Sequence, residues 1–168
     1  PPEALLRRLV NRLDLPGVGA RDLPARQRTL RDTIDWSYQL LDPRERQALE
    51  RMSVFPAGAS IEAASEVLAG IDADPLELLE SLLRKSLLRR TEDSRGRVRV
   101  GLLAAIREFA ADKLSDAGEA DAVRELHAAY YSRWAADTAA VLHSAEQPDH
   151  LDAFDDALEN LVAALEWY

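Results

Sequence analysis

The sequence predicts a mostly α-helical chain interrupted by one small β-hairpin and closed by a pair of helices. Three observations predict it. Two helix starts share one pattern, Asp42-Pro43-Arg44-Glu45 and Asp74-Pro75-Leu76-Glu77. Two short runs, Leu87-Leu88-Arg89-Arg90-Thr91 and Arg97-Val98-Arg99-Val100, flank the polar, Gly-containing turn Glu92-Asp93-Ser94-Arg95-Gly96. From 120 onward, apolar residues recur at intervals of three and four with only one break.

Each element has a local justification. Residues 2–13 read as a short helix with Leu5, Leu6, Leu9 and Leu13 on one side. Pro16-Gly17-Val18-Gly19 and Pro24 break that pattern, so residues 14–26 read as a linker. A helix over 28–41 follows, with Leu30, Ile34, Ser37, Tyr38 and Leu41 in one stripe and Thr33, Trp36 and Leu40 in an adjoining one. Such width implies packing on more than one side, which makes Trp36 and Leu40 candidates for an interdomain surface. Asp42-Pro43 opens a helix over 43–55: the carboxylate caps the free N–H groups, proline suits the first helical position, and Glu45 can close a capping box. Ser60 opens a helix to about Leu68, and Asp74-Pro75 one over 75–87 carrying Leu76, Leu79, Leu82, Leu83 and Leu87. After the hairpin, a helix over 102–116 turns Leu103, Ile106, Phe109, Ala110 and Leu114 inward and ends at Gly118. Helices over 120–142 and 149–168 form an αα-hairpin that reads as the TPR-like start of a helical repeat array. One such unit leaves a face uncovered and the chain stops at Trp167-Tyr168, so a piece of something longer is expected.

Helices at 28–41, 43–55, 60–69 and 75–87, then a hairpin and another helix, give the order of a winged-helix domain. The hairpin is then the wing, and 75–87 occupies the place of a DNA-reading helix. The expected segments are 1–26 (helix end and linker), 27–117 (winged helix) and 118–168 (first repeat helices).

Charge sharpens the functional reading. The net charge is -9, yet residues 1–101 carry 17 basic and 16 acidic side chains, whereas 102–168 carry 4 and 14. An acidic C-terminal part repels phosphates and suits protein contacts. The 75–87 helix offers Asp74, Glu77 and Glu80 against Arg84 and Lys85, with no Asn or Gln for adenine and no leading Arg for guanine. Nucleic acid is therefore expected to be an unsuitable partner. The wing differs: Arg95, Arg97 and Arg99 are the candidate phosphate contacts if DNA is bound at all, the other reading being a solvated hairpin whose arginines pair with acidic neighbours.

Catalytic apparatus is not found. There is no cysteine and no G-x-x-x-x-G-K-[ST] phosphate loop. Of the three histidines, His127 reads as a boundary residue near the apolar side of its helix, and His143 and His150 flank a loop. Asp152, Asp155, Asp156 and Glu159 read as a solvated acidic face. No apolar run reaches a membrane span and no leader peptide is apparent, so a cytosolic protein with no membrane partner is expected, with no metal and no cofactor of its own.

Three motifs add a family resemblance. Arg28-Thr29-Leu30-Arg31-Asp32-Thr33-Ile34-Asp35-Trp36-Ser37-Tyr38, Leu102-Leu103-Ala104-Ala105-Ile106-Arg107-Glu108-Phe109-Ala110 and Glu159-Asn160-Leu161-Val162-Ala163-Ala164-Leu165-Glu166-Trp167 resemble segments of STAND-class regulators with an NB-ARC-type ATPase core. The resemblance implies a parent protein with a nucleotide-binding core that takes ATP and ADP, a helical domain ending in 1–13, this winged helix, and a helical sensor. It departs from the family's Glu-Thr at Ala104-Ala105 and from its Arg at Val162. The expected function is a non-catalytic relay between core and sensor, touching neighbouring domains of its own chain and protein partners. The alternatives are a DNA-binding winged helix using the basic wing and a helical protein-interaction scaffold.

Overall fold

The computed structural model describes residues 25–141 and 147–167. The helix expected at 2–13, most of the linker, His143 and the side chain of His150 lie outside the described residues. The chain divides into two units, Pro1–Trp36 and Ser37–Tyr168. Of the first, the structure describes the leading part of helix α1, Ala25–Gln39.

The second unit begins with the end of α1 and then runs α2 (Pro43–Arg51), a 3-10 turn (Met52–Val54), β1 (Ala59–Ser60), α3 (Ile61–Leu68), α4 (Pro75–Arg84), β2 (Arg89–Glu92), β3 (Val98–Gly101), α5 (Ala104–Asp116), α6 (Ala120–Val141) and α7 (Gln147–Trp167). This is a winged helix followed by an αα-hairpin, and the hairpin packs in the same unit as the winged helix.

Capping chemistry sets the helix starts. Asp42 accepts hydrogen bonds from the Arg44 and Glu45 N–H groups, while Glu45 accepts from the Asp42 N–H, closing the capping box. Asp74 accepts from Leu76, and Ser60 Oγ from Ala63. Each cap is worth about 1 kcal/mol. Arg46 donates to the Tyr38 and Gln39 carbonyls and so satisfies the end of α1. Helix α4 stops at Arg84, earlier than its leucines suggest: Ser86 takes a left-handed φ of 58°, and the Leu87 and Leu88 N–H groups both bond the Leu82 carbonyl.

The sheet has three strands, ordered β1-β3-β2 and antiparallel throughout. Its first strand, absent from the sequence reading, pairs Ala59 with Val100 and Ser60 with Arg99. Two residues carry no alternation, so only pairing with β3 makes them a strand. The core gathers Leu49, Met52, Phe55, Val67, Leu68, Leu79, Leu82 and Val100, all essentially inaccessible to water. Among the described residues, no helix is long and apolar enough to cross a membrane.

Candidate nucleic-acid interface

Helices α3 and α4 form the helix-turn-helix, and β2 and β3 form the wing. Leu78, Leu79 and Leu82 of α4 are buried, which turns Leu76, Glu77, Glu80 and Arg84 outward. Arg84 pairs with Glu80 at 3.7 Å. Lys85, just beyond, donates to both Glu45 oxygens at 2.5 and 2.6 Å, and Ser81 Oγ adds a third bond at 2.6 Å. Burial on its own would raise the Glu45 carboxyl. The Lys85, Ser81 and Asp42 hydrogen bonds and the Lys85 charge outweigh it and hold the carboxyl at about 2. Lys85 is thus neutralised by the buried Glu45 of α2.

The wing is built around Asp93, which the sequence places in the turn without assigning it a role. Its Oδ1 accepts the Arg95 and Arg97 N–H groups at 2.9 and 2.8 Å, and Gly96 at φ +73° lets the chain turn back. Arg97 Nε donates to Asp93 Oδ2 at 2.7 Å, although the Arg97 side chain stays 61% exposed. Burial would raise the Asp93 carboxyl, but the N–H groups and the Arg97 guanidinium win and lower it. The signal that could have found this residue is Asp three positions before Gly, an Asx-type turn.

The three candidate arginines do not share one role. Arg95 projects into solvent at the wing tip. Arg97 is exposed but tied to Asp93. Arg99 is half-buried and donates to the Gly58 carbonyl at 3.0 Å, which braces the sheet. Arg89 and Arg90 on β2 are exposed, Arg90 lying 3.8 Å from Glu92. Trp36 and Leu40 are exposed too, at 64% and 63%.

The helical hairpin reaches the wing. The Ser94 N–H and Oγ both donate to Asp156 Oδ2 of α7, at 3.1 and 2.6 Å. One turn further, Asn160, wholly buried, donates to the Gly58 carbonyl at 2.9 Å and meets His127 Nε2 at 3.4 Å. His127 is itself 3% exposed and packs edge-on to Phe55; burial lowers its pKa, against a smaller raising effect from Asn160. A groove of about 420 Å³ runs between β3 and the hairpin, lined by Arg97, Arg99, Tyr130, Tyr131, Trp134 and Asp156 among others. Among the described residues, no group of three or more His, Asp or Glu side chains is placed to hold a metal.

Residues 41–115 match the family described as the winged helix-turn-helix domain. The chain is 37% identical over 155 residues to a protein of Mycobacterium tuberculosis named "Putative HTH-type transcriptional regulator", covering 89% of this chain and 17% of that protein. A Mycobacterium bovis protein of the same description matches to the same extent. An uncharacterised M. tuberculosis protein is 35% identical over 127 residues, 73% of this chain and 32% of its own length. The chain therefore spans about a sixth of the length of the first of these relatives. No solved structure matches it.

These likenesses correct the expectation that nucleic acid is an unsuitable partner: a winged helix-turn-helix with regulator relatives points to DNA. That expectation rested on the acidic side chains of one helix and the acidic balance of 102–168. The wing, however, carries four exposed cations of its own, Arg89, Arg90, Arg95 and Arg97.

Proposed function

We propose that this chain is a DNA-binding winged-helix segment of a transcriptional regulator and that it meets the duplex through its wing. The observation that carries the reading is a helix-turn-helix family match on a fold whose wing displays exposed arginines. Arg95 is offered as a phosphate contact, with Arg97 next to it in the turn and Arg89 and Arg90 further along β2. Exposed guanidinium groups on a narrow turn neutralise phosphates, so affinity falls steeply with salt. Contacts of this kind position a protein on DNA and carry little sequence information.

Fluorescence anisotropy with labelled duplex tests it. Binding in 50 mM salt should weaken several-fold in Arg95→Ala, and the salt slope should fall by about one for each lost phosphate contact. Absence of salt-dependent binding, or an unchanged Arg95→Ala, sinks the reading.

One observation favours a second reading, the interdomain relay. The outward face of α4 presents Leu76, Glu77 and Glu80, and its one basic side chain, Arg84, pairs with Glu80. Such a face suits a protein neighbour better than a major groove. In that reading the exposed Trp36 and Leu40 are covered by neighbouring domains, and the ATPase core rests on the three motif resemblances alone. The same titration separates the two: Glu77→Gln with Glu80→Gln strengthens binding if α4 lies against DNA and leaves it unchanged if α4 faces a protein.

A further inference from the structure

We infer that α7 latches the wing, with the Asp156 carboxylate occupying the place of a DNA phosphate. The inference rests on the wing being a DNA contact. A backbone N–H and an adjacent hydroxyl, with an arginine next in the chain, form the donor set that phosphate oxygens take from DNA-binding proteins. Here both Ser94 donors, N–H and Oγ, are spent on one carboxylate oxygen of α7, at 3.1 and 2.6 Å. A phosphate and Asp156 cannot hold these donors together.

The surroundings of Asp156 extend the competition. Asp152 lies one helical turn before it and Glu159 three residues after it, both exposed and on the same side of α7. That row of carboxylates stands beside the wing and repels a duplex approaching Ser94 and Arg95. Arg97 and Arg99 line the same groove as Asp156, so the latch also places negative charge against two wing cations.

Position within the fold makes the contact releasable. Ser94 is exposed and Asp156 only half-buried, so water replaces their hydrogen bonds readily when α7 moves. Asn160, one turn away and fully buried on the Gly58 carbonyl, keeps the helix registered on the sheet. DNA binding and hairpin docking thus draw on one set of donors, which gives whatever displaces α7 control over the wing.

Anisotropy on the full chain tests the latch. Asp156→Ala should bind duplex about three- to tenfold more tightly than the parent at low salt, the effect of freeing two charge-assisted donors and removing a nearby negative charge. Asp155→Asn, which removes an equal charge from an exposed position with no contact to Ser94, should gain less than twofold. Equal affinity of the parent and Asp156→Ala overturns the latch while leaving DNA binding intact. An equal gain in Asp155→Asn also overturns it, because net charge alone then explains the effect. No salt-dependent binding in any of the three overturns the DNA reading and the latch together.

Discussion

Glu45 shows how much one side chain can carry. It closes the capping box of α2, and the same carboxylate receives Ser81 of α4 and Lys85 just beyond it, so it fixes the second helix of the helix-turn-helix against the helix that precedes the motif. The capping half was legible in Asp42-Pro43-Arg44-Glu45, because a cap needs only a few neighbouring residues. The half that reaches Lys85 was not, since it joins positions 40 residues apart and Lys85 had been weighed only as a charge on the 75–87 helix. The folded carboxyl titrates near 2 against an ordinary 4.5. Its stabilisation is therefore present above pH 4.5 and lost as the pH falls through 2. Glu45→Gln should cost about 2 kcal/mol at pH 7 in urea unfolding. The gap between variant and parent should close over that acid window; a constant gap would show that the carboxylate does not carry the effect.

At the scale of elements, the hairpin was legible and the strand that completes the sheet was not. Two runs of β-compatible residues around Asp93-Ser94-Arg95-Gly96 announce their own turn, whereas Ala59–Ser60 acquires a strand identity only from Val100 and Arg99. The close approach that permits this pairing falls on Gly58, with φ +73° and with the Val100 carbonyl oxygen 2.8 Å from where a Cβ would stand. Backbone atoms cannot swing aside as a side chain can. Gly58→Ala therefore combines left-handed strain with a steric conflict and should destabilise the fold by at least about 2 kcal/mol in thermal or urea unfolding. A variant as stable as the parent would mean that β1 and β3 separate without cost. The wing arginines illustrate the same limit: Arg95, Arg97 and Arg99 looked equivalent by count and spacing, but the Asp93 turn leaves Arg95 in solvent and ties Arg97 in an ion pair, while pairing of β3 with β1 brings Arg99 to the Gly58 carbonyl.

For the whole molecule, side chains on either side of residues 117–118 pack against one another within the unit Ser37–Tyr168. Phe55 of the winged helix lies edge-on to His127 and Tyr131 of α6, Arg133 pairs with Glu66 of α3, and Arg51 reaches Glu119 at 3.3 Å. Periodicity assigns a helix its apolar side without naming what covers it, so these partners were not legible in the sequence. Within Ser37–Tyr168 a single cooperative transition is expected. Helical circular dichroism and the fluorescence of Trp134 should share one urea midpoint, and Asn160→Ala should shift both together by about 1–3 kcal/mol. Separate midpoints would make the hairpin an independent folding unit. The Gly58 carbonyl gives this coupling an evolutionary asymmetry. It takes hydrogen bonds from Arg99 and from Asn160, joining sheet and hairpin through an acceptor that belongs to the main chain. No codon change at position 58 deletes that oxygen, so heritable adjustment of the linkage is confined to its two donors. Because they share one oxygen, losing the first leaves the acceptor satisfied by the second, and the lineage can drift at either position more freely than at both.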